Sequence, residues 1–181
     1  MKLLIRYQSV LMVIIALASA LSGRAQSSSD LDDSAIIGIY NQVNSFDIES
    51  ALLAANQADS ADVRKLSQQV ARDHRAVRLA AAELAKSMGI AESIPASRQE
   101  DMLAHDRAMA DLAKLTGREF DRAYLLHEIA FHEAAIKALK TILLPSAKDA
   151  RLKKHFESVL PHFEHHLNAS VGLAQTLGYR S

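Results

Sequence analysis

The sequence contains no cysteine and no tryptophan, and it has only 6 glycines and 3 prolines among its 181 residues. Without cysteine, the protein has neither disulfides nor thiolate metal ligands, and its stability must come from packing. Only 5% of the residues are aromatic, and the 21 Lys and Arg residues are balanced by 21 Asp and Glu residues. No nucleic acid partner is therefore expected, because a basic field and stacking rings are both lacking.

What remains is a composition rich in alanine and leucine, in which 49% of the residues are hydrophobic. That fraction is sufficient for one domain with a buried core. Alternation of β-branched residues is nowhere sustained, whereas apolar residues recur at steps of three and four. The sequence therefore predicts a single all-α domain.

The N-terminal segment differs from the rest of the chain. Two basic residues precede an apolar run from Val10 to Leu21, and small residues follow it, which is the order of a secretory signal peptide. The apolar core of about 12 residues is shorter than the roughly 20 that a membrane span needs. We predict a signal peptide over 1–25, cleaved after Ala20 or Ala25, and a linker over 26–31. The mature protein would then be periplasmic or envelope-associated, with no stable transmembrane insertion; an uncleaved anchor helix is the alternative.

The remaining segment, 32–178, divides into helices at residues that commonly cap or end them. Serine, threonine and aspartate precede the apolar periodic stretches, and glycine or proline follows them. Four long helices with short connections, and one longer crossover, are typical of a four-helix bundle. We predict the long helices over about 32–57, 60–88, 116–144 and 147–177, with a short extra helix over about 98–115 in the crossover between the second and the third.

Ionisable residues interrupt the apolar face of each long helix. Heptad spacing indicates which positions face the interior of a bundle. In the second helix Asp73 interrupts a series that is otherwise apolar, and in the fourth helix His166 does the same. By contrast, we expect His105, His155 and His165 to be exposed and His127 to lie beside the apolar face. The residues predicted to face or flank the interior are Glu49, Asp73, His74, Glu128, His132, His162 and His166.

Buried charges need partners, because an isolated charge in an apolar bundle costs several kcal/mol. Imidazole and carboxylate together suit zinc, copper, iron or manganese, so one hypothesis is a divalent transition-metal site. The other is a metal-free hydrogen-bond network of histidine and aspartate. The ordinary dinuclear iron site is disfavoured because no Glu-x-x-His occurs. In a metal site the ligands would be His74, His132 and His166, with Glu49 or Asp73 as a further ligand or hydrogen-bond partner, and Glu128 and His162 as secondary candidates.

Three stretches of the mature sequence carry a family resemblance: FDIESALLAANQADSADVRKLSQQVARDHRAV, GREFDRAYLLHEIAFHEAAIKAL and VLPHFEHHLNASVGLAQTLG. Their order and spacing resemble those of a secreted bacterial family called domain of unknown function 4142. The resemblance implies a ferritin-like fold and supplies no reaction. The family commonly has an aspartate immediately before the third-helix histidine, where this chain has Phe131, so Glu128 would have to substitute for it. Pro161 lies inside the predicted fourth helix and should kink or restart it.

Two classes of function follow from these observations. The first is an exported metal-binding or metal-responsive protein. The second is a non-catalytic module for envelope stress or partner binding, in which the buried histidines are structural. An enzyme is less favoured, because the sequence has no nucleophile–base arrangement and no phosphate loop. The sequence identifies no protein partner and is compatible with a homo-oligomer.

Overall fold

The computed structural model describes residues 31–179, so the predicted signal peptide over 1–25 lies outside the described residues. Within that range the secondary structure is helical and contains no strand, which confirms the all-α prediction. Five α-helices of more than three residues form the domain: α1 (Asp33–Gln57), α2 (Ala61–Met88), α3 (Gln99–Leu112), α4 (Gly117–Ala138) and α5 (Ala150–Thr176).

Shorter helical turns occur beside two of these helices. A 3₁₀ turn, Ala96–Arg98, precedes α3 in the crossover. After α4 the chain continues through a π-helical turn, Leu139–Leu143, and a short α-helical turn, Leu144–Ser146, before α5 begins. The sequence predicted that the third long helix runs unbroken to residue 144. Instead, the regular α-helix ends at Ala138, where the chain changes to the π-helical turn. Pro161 does not restart the last helix, because α5 is continuous from Ala150 to Thr176.

The four long helices form a ring of contacts. Helix α1 packs on α2 and on α4, and α5 packs on the same two helices. Along the bundle, one apolar cluster contains Tyr40, Phe156 and Phe163, and a second contains Phe120 and Tyr124. Each of the four long helices, α1, α2, α4 and α5, contributes residues to both clusters. On each helix, buried polar residues lie between the residues of the first cluster and those of the second. The bundle therefore has a polar layer between two apolar layers. Among the described helices, none is long and apolar enough to cross a membrane.

Two aspartates accept hydrogen bonds from the backbone just before α2 and α5, and so connect these helices to their neighbours. Asp121, near the beginning of α4, accepts hydrogen bonds from the backbone N–H groups of Asp59 (2.9 Å) and Ser60 (2.8 Å). In the same way, Asp33 of α1 accepts from the N–H groups of Lys148 (2.8 Å) and Asp149 (2.9 Å). These N–H groups precede a helix or begin it and have no partner within it. Asp121, which lies in the stretch GREFDRAYLLHEIAFHEAAIKAL, therefore has a structural role.

The crossover approaches α1 closely at Gly38. A Cβ atom on Gly38 would lie 2.2 Å from the carbonyl oxygen of Ser93. The Ser93 N–H donates to the carbonyl oxygen of Ser34 at 3.2 Å, and this bond holds the extended segment of the crossover against α1. Glycine is required here because any side chain would push the crossover away. The crossover in turn leads to α3, which packs on α4.

Candidate metal centre

Three buried histidines meet in the polar layer, each from a different helix. His74 belongs to α2, His132 to α4 and His166 to α5, and none of them is more than 1% exposed. One ring nitrogen of each can be chosen so that all three lie within 4.8 Å of one another. The sequence predicted that these three residues face the interior, and the structure brings them together.

The outer nitrogen of each ring is bonded to an acceptor. His74 Nδ1 lies 2.9 Å from the Asn44 side-chain oxygen, which must accept because the Asn44 amide nitrogen donates to the Tyr40 carbonyl. His132 Nδ1 lies 3.1 Å from the carbonyl oxygen of Glu128. These bonds place the protons on Nδ1 of both rings, so that the neutral forms have their lone pairs on Nε2.

In His166 the outer, bonded nitrogen is Nε2 and not Nδ1. Its Nε2 lies 2.9 Å from the carboxylate of Asp73, which leaves Nδ1 as the inner atom. That Nδ1 is 3.2 Å from His74 Nε2. When both rings are neutral, two lone pairs face each other across this gap, so a further proton or a cation must lie between them. Metal-bound histidines commonly have their second nitrogen fixed in this manner by a carboxylate or carbonyl.

Asp47 of α1 supplies a carboxylate that sequence reasoning missed. Its Oδ2 lies 2.8 Å from His74 Nε2 and 3.6 Å from His132 Nε2, and the residue is fully buried. Despite the short distance, the His74 contact lacks hydrogen-bond geometry, and neither oxygen of Asp47 has a hydrogen-bond partner in the described chain. A buried carboxylate without donors is suited to accept a cation.

The spacing of these four atoms suits a metal ion. With metal–nitrogen bonds of about 2.0–2.1 Å, neighbouring ligands in a tetrahedral site lie about 3.3 Å apart. The observed separations are 3.2 Å between His74 Nε2 and His166 Nδ1, and 2.8 and 3.6 Å from Asp47 to His74 and His132. The three inner nitrogens, which lie within 4.8 Å of one another, could therefore hold an ion, with Asp47 Oδ2 beside His74 and His132.

The electrostatics of the metal-free site are dominated by Asp47 and the imidazoles. Burial alone would raise the pKa of Asp47, but the neighbouring His74 and His132 outweigh it and hold this pKa well below its usual range. Burial opposes the charged form of His132, yet Asp47 and the bond to Glu128 raise the pKa of His132 to about 9. For His166, burial lowers the pKa to about 4 despite the bond to Asp73. Asp47 therefore favours its charged form, and His132 is the histidine whose protonated form the carboxylates favour.

Glu128 and Tyr124 extend the polar layer along α4. The Glu128 carboxylate is fully buried, and its Oε1 lies 3.2 Å from His132 Nδ1. Burial raises the pKa of Glu128, and the charge of Asp47 raises it further. The Tyr124 hydroxyl is close enough that, after burial, Glu128 contributes most to raising the Tyr124 pKa. Neither group has a well-formed hydrogen bond to another part of the described chain through these oxygens.

Two of the predicted candidates lie elsewhere. The Glu49 side chain is 60% exposed and pairs with His105 at 3.0 Å, because it lies on the side of α1 that faces the crossover helix. His162 is exposed, since it occupies an outward position of α5 one turn before His166. Asp73 was expected at a core position but is 37% exposed, and His74 takes the inward position. Asp73 therefore contacts the cluster from outside, through His166.

The histidines predicted to be unimportant also need correction. His105 was expected to be exposed, but it is 2% exposed and stacks on Phe46 with ring centroids 4.2 Å apart. His127 was expected beside the apolar face, but it is 1% exposed, and neither ring nitrogen has a partner in residues 31–179. Burial lowers the pKa of His127 to about 4. His155 is half-buried and His165 is exposed.

The comparisons agree with the family resemblance seen in the sequence. Searches of curated proteins and of solved structures found no match. A family model described as domain of unknown function 4142 matches residues 18–173 of the 181-residue chain, which includes every member of the histidine cluster. The chain therefore belongs to the family described as domain of unknown function 4142.

Proposed function

We propose that this protein is an exported metal-binding protein that holds one divalent transition-metal ion in the interior of a ferritin-like four-helix bundle. The observation that supports this most strongly is the arrangement of the three histidines. Each has one nitrogen bonded to an outer acceptor, and the other nitrogens converge within 4.8 Å. Asp47 adds a buried carboxylate oxygen to the same cluster.

The donor set narrows the class of metal. Three imidazole nitrogens and one carboxylate oxygen suit zinc, copper, iron or manganese, and no thiolate is present to select a softer ion. Four protein ligands fill a tetrahedral zinc site, whereas catalytic zinc sites keep one position open for water or substrate. Full burial of the cluster therefore favours retention or sensing of the metal over catalysis at it.

A metal-free hydrogen-bond network is the second candidate, because one observation favours it. Asn44, His74, His166 and Asp73 form a continuous chain of contacts of 2.9, 3.2 and 2.9 Å. With one additional proton, this chain is satisfied without any metal. The protein would then be a helical module that acts through its surface in the envelope, and the histidines would serve only the fold.

Metal-dependent stability distinguishes the two candidates. Protein purified without a histidine tag and stripped with a chelator would be titrated with Zn²⁺, Cu²⁺, Mn²⁺ and Fe²⁺ at pH 7.5. A ligand that binds only the folded state stabilises it by about 2.7 kcal/mol at 100 times its Kd. We expect one equivalent of at least one of these metals and a clear rise in the melting temperature.

The matched control uses exposed histidines of the same helix as His166. Replacing His74, His132 and His166 together with alanine should abolish both the binding and the rise in melting temperature. Replacing His162 and His165, which are exposed, should change neither. Loss of all binding in the His162 and His165 variant, or no stabilisation of the wild type by any of the four metals, would favour the metal-free network.

A further inference from the structure

We propose that a second cation position, rich in oxygen donors, adjoins the histidine cluster. It is formed by the carboxylates of Asp47 and Glu128 with His132 beside them, and it takes a hard divalent cation such as Mn²⁺. This inference rests on the proposed function, since the first ion occupies the nitrogen side of the same cluster. The ligand atoms of these three residues lie within 4.8 Å of one another, and all three residues are buried.

A single metal ion at the histidines would leave several buried polar atoms without a partner. An ion at the three inner nitrogens and Asp47 Oδ2 satisfies those four atoms. Asp47 Oδ1, both carboxylate oxygens of Glu128 and the Tyr124 hydroxyl still have no hydrogen-bond partner in the described chain. A buried acceptor left unsatisfied costs about 1–3 kcal/mol, and more when it is charged. A cluster of such oxygens therefore favours the binding of a cation.

The geometry allows both positions to be filled at once. Asp47 has two oxygens, of which Oδ2 faces the histidines, so its carboxylate can serve both ions. His132 lies between the positions, with Nε2 on the side of Asp47 and Nδ1 3.2 Å from Glu128 Oε1. Paired metal sites that share ligands commonly have ions about 3.5–4 Å apart. Asp47 is therefore the ligand that the two ions would share.

The two positions differ in the cations that they prefer. The first offers three imidazole nitrogens, which suit Zn²⁺, whereas the second offers carboxylate oxygens, which suit Mg²⁺, Ca²⁺ or Mn²⁺. Among the divalent first-row transition metals, Mn²⁺ binds a given set of ligands most weakly. It therefore does not displace Zn²⁺ from the nitrogen ligands. The site therefore accepts two different ions in sequence, Zn²⁺ first and Mn²⁺ second.

The experiment titrates Zn²⁺-saturated, tag-free protein with Mn²⁺ and follows free Mn²⁺ by its electron paramagnetic resonance signal. We expect one equivalent of Mn²⁺ to be taken up while one equivalent of Zn²⁺ is retained. Glu128→Gln should weaken Mn²⁺ uptake at least tenfold and leave the Zn²⁺ stoichiometry unchanged. The matched control is Glu133→Gln, an exposed residue of the same helix, which should behave as wild type.

The outcomes separate this inference from the proposed function. If the wild type binds Zn²⁺ but free Mn²⁺ appears from the first addition, a proton on Glu128 occupies the second position, and the inference is wrong while the proposed function stands. If the wild type binds no transition metal, both are wrong. Should Glu128→Gln fail to fold by circular dichroism, the stoichiometry of the wild type alone decides. Equal loss of Mn²⁺ in Glu133→Gln would also overturn the inference, because it would indicate binding at the surface.

Discussion

His74 Nε2 and His166 Nδ1 face each other at 3.2 Å, although their helices begin about 90 residues apart in the sequence. The partner of each ring fixes which nitrogen points inward: Asn44 for His74 and Asp73 for His166. A metal ion and a shared proton are the two species that can lie between these nitrogens.

Asp47 and Asp73 should contribute to metal binding unequally. Asp47 contacts the inner nitrogens directly, whereas Asp73 contacts only the outer nitrogen of His166. Asp73→Ala should weaken Zn²⁺ binding about 10–100-fold, as loss of an outer partner usually does. Asp47→Ala should weaken it by more than Asp73→Ala, because a ligand atom is removed. Isothermal titration measures both values; a smaller effect for Asp47 than for Asp73 would show that Asp47 is not a ligand.

Metal affinity should depend on pH up to about 9. The pKa of His132 is raised from 6.5 to about 9 by Asp47 and Glu128 in spite of burial, so bound metal must displace a proton from it. Between pH 7 and 8.5 the affinity for Zn²⁺ should rise about tenfold per pH unit. Competition with a chelator measures this slope. A flat profile over that range would mean that His132 is already neutral or is not a ligand.

The same pKa predicts the opposite trend for the metal-free protein. Because the pKa of His132 is higher in the folded state than its ordinary value of 6.5, folding retains a proton there. The stability contributed by His132 is fully present below pH 6.5 and is lost as the pH rises through about 9. Urea unfolding of chelator-treated protein at pH 6.5 and 9 should show this loss, and His132→Gln should reduce it.

Gly38→Ala should destabilise the fold. The added Cβ would lie 2.2 Å from the Ser93 carbonyl oxygen, which belongs to backbone and cannot rotate away. We expect a loss of about 1–3 kcal/mol, as for other overpacking changes. Gly172→Ala is the control, since nothing lies within 4 Å of its Cβ position inside α5, and this change should stabilise by about 0.5–1 kcal/mol. Equal effects of the two changes in urea unfolding would mean that the crossover does not pack on α1 as described.

Asp121→Ala should also lower stability. It removes the acceptor of the Asp59 and Ser60 N–H groups at the beginning of α2. Hydrogen bonds to a charged group contribute about 1.5–3 kcal/mol, and we expect a loss of this order. Asp62→Ala, an exposed change in the first turn of α2, should cost only a few tenths of a kcal/mol through the helix dipole. Thermal unfolding of both variants checks the difference.

Most of the fold could be predicted from the sequence, because helix ends and apolar periodicity are local. The predicted helices over 32–57 and 60–88 agree with α1 and α2 to within one residue at each end. Thr116, where the third long helix was predicted to begin, is the N-cap of α4, but its side chain makes no capping hydrogen bond. The last helix was predicted to begin three residues too early. It begins at Ala150 because Asp149 is its N-cap, and the Asp149 N–H group donates to Asp33.

The site was predicted in part, and the errors have a physical cause. His74, His132 and His166 interrupt apolar faces strongly enough to be recognised. On the first helix the apolar residues Ile39, Val43, Phe46 and Leu53 indicate a face with Glu49 at its edge. Only Val43 among them is buried, whereas the inward face contains the fully buried Ile36 and Tyr40. Steps of three and four from Tyr40 reach Asp47, whereas the assigned face reached Glu49. Because many side chains of α1 are buried, including polar ones, its periodicity is weak, and contacts with other helices decide which carboxylate faces inward.

X-ray absorption at the zinc edge of tag-free protein loaded with one equivalent of Zn²⁺ tests the metal centre most directly. We predict four light-atom ligands at about 2.0–2.1 Å, of which three show the multiple scattering of imidazole, as expected for His74, His132, His166 and Asp47. The His162 and His165 double variant should give the same spectrum. A spectrum with fewer than two imidazoles, or one that changes in this double variant, would show that zinc binds at the surface and would contradict the proposed centre.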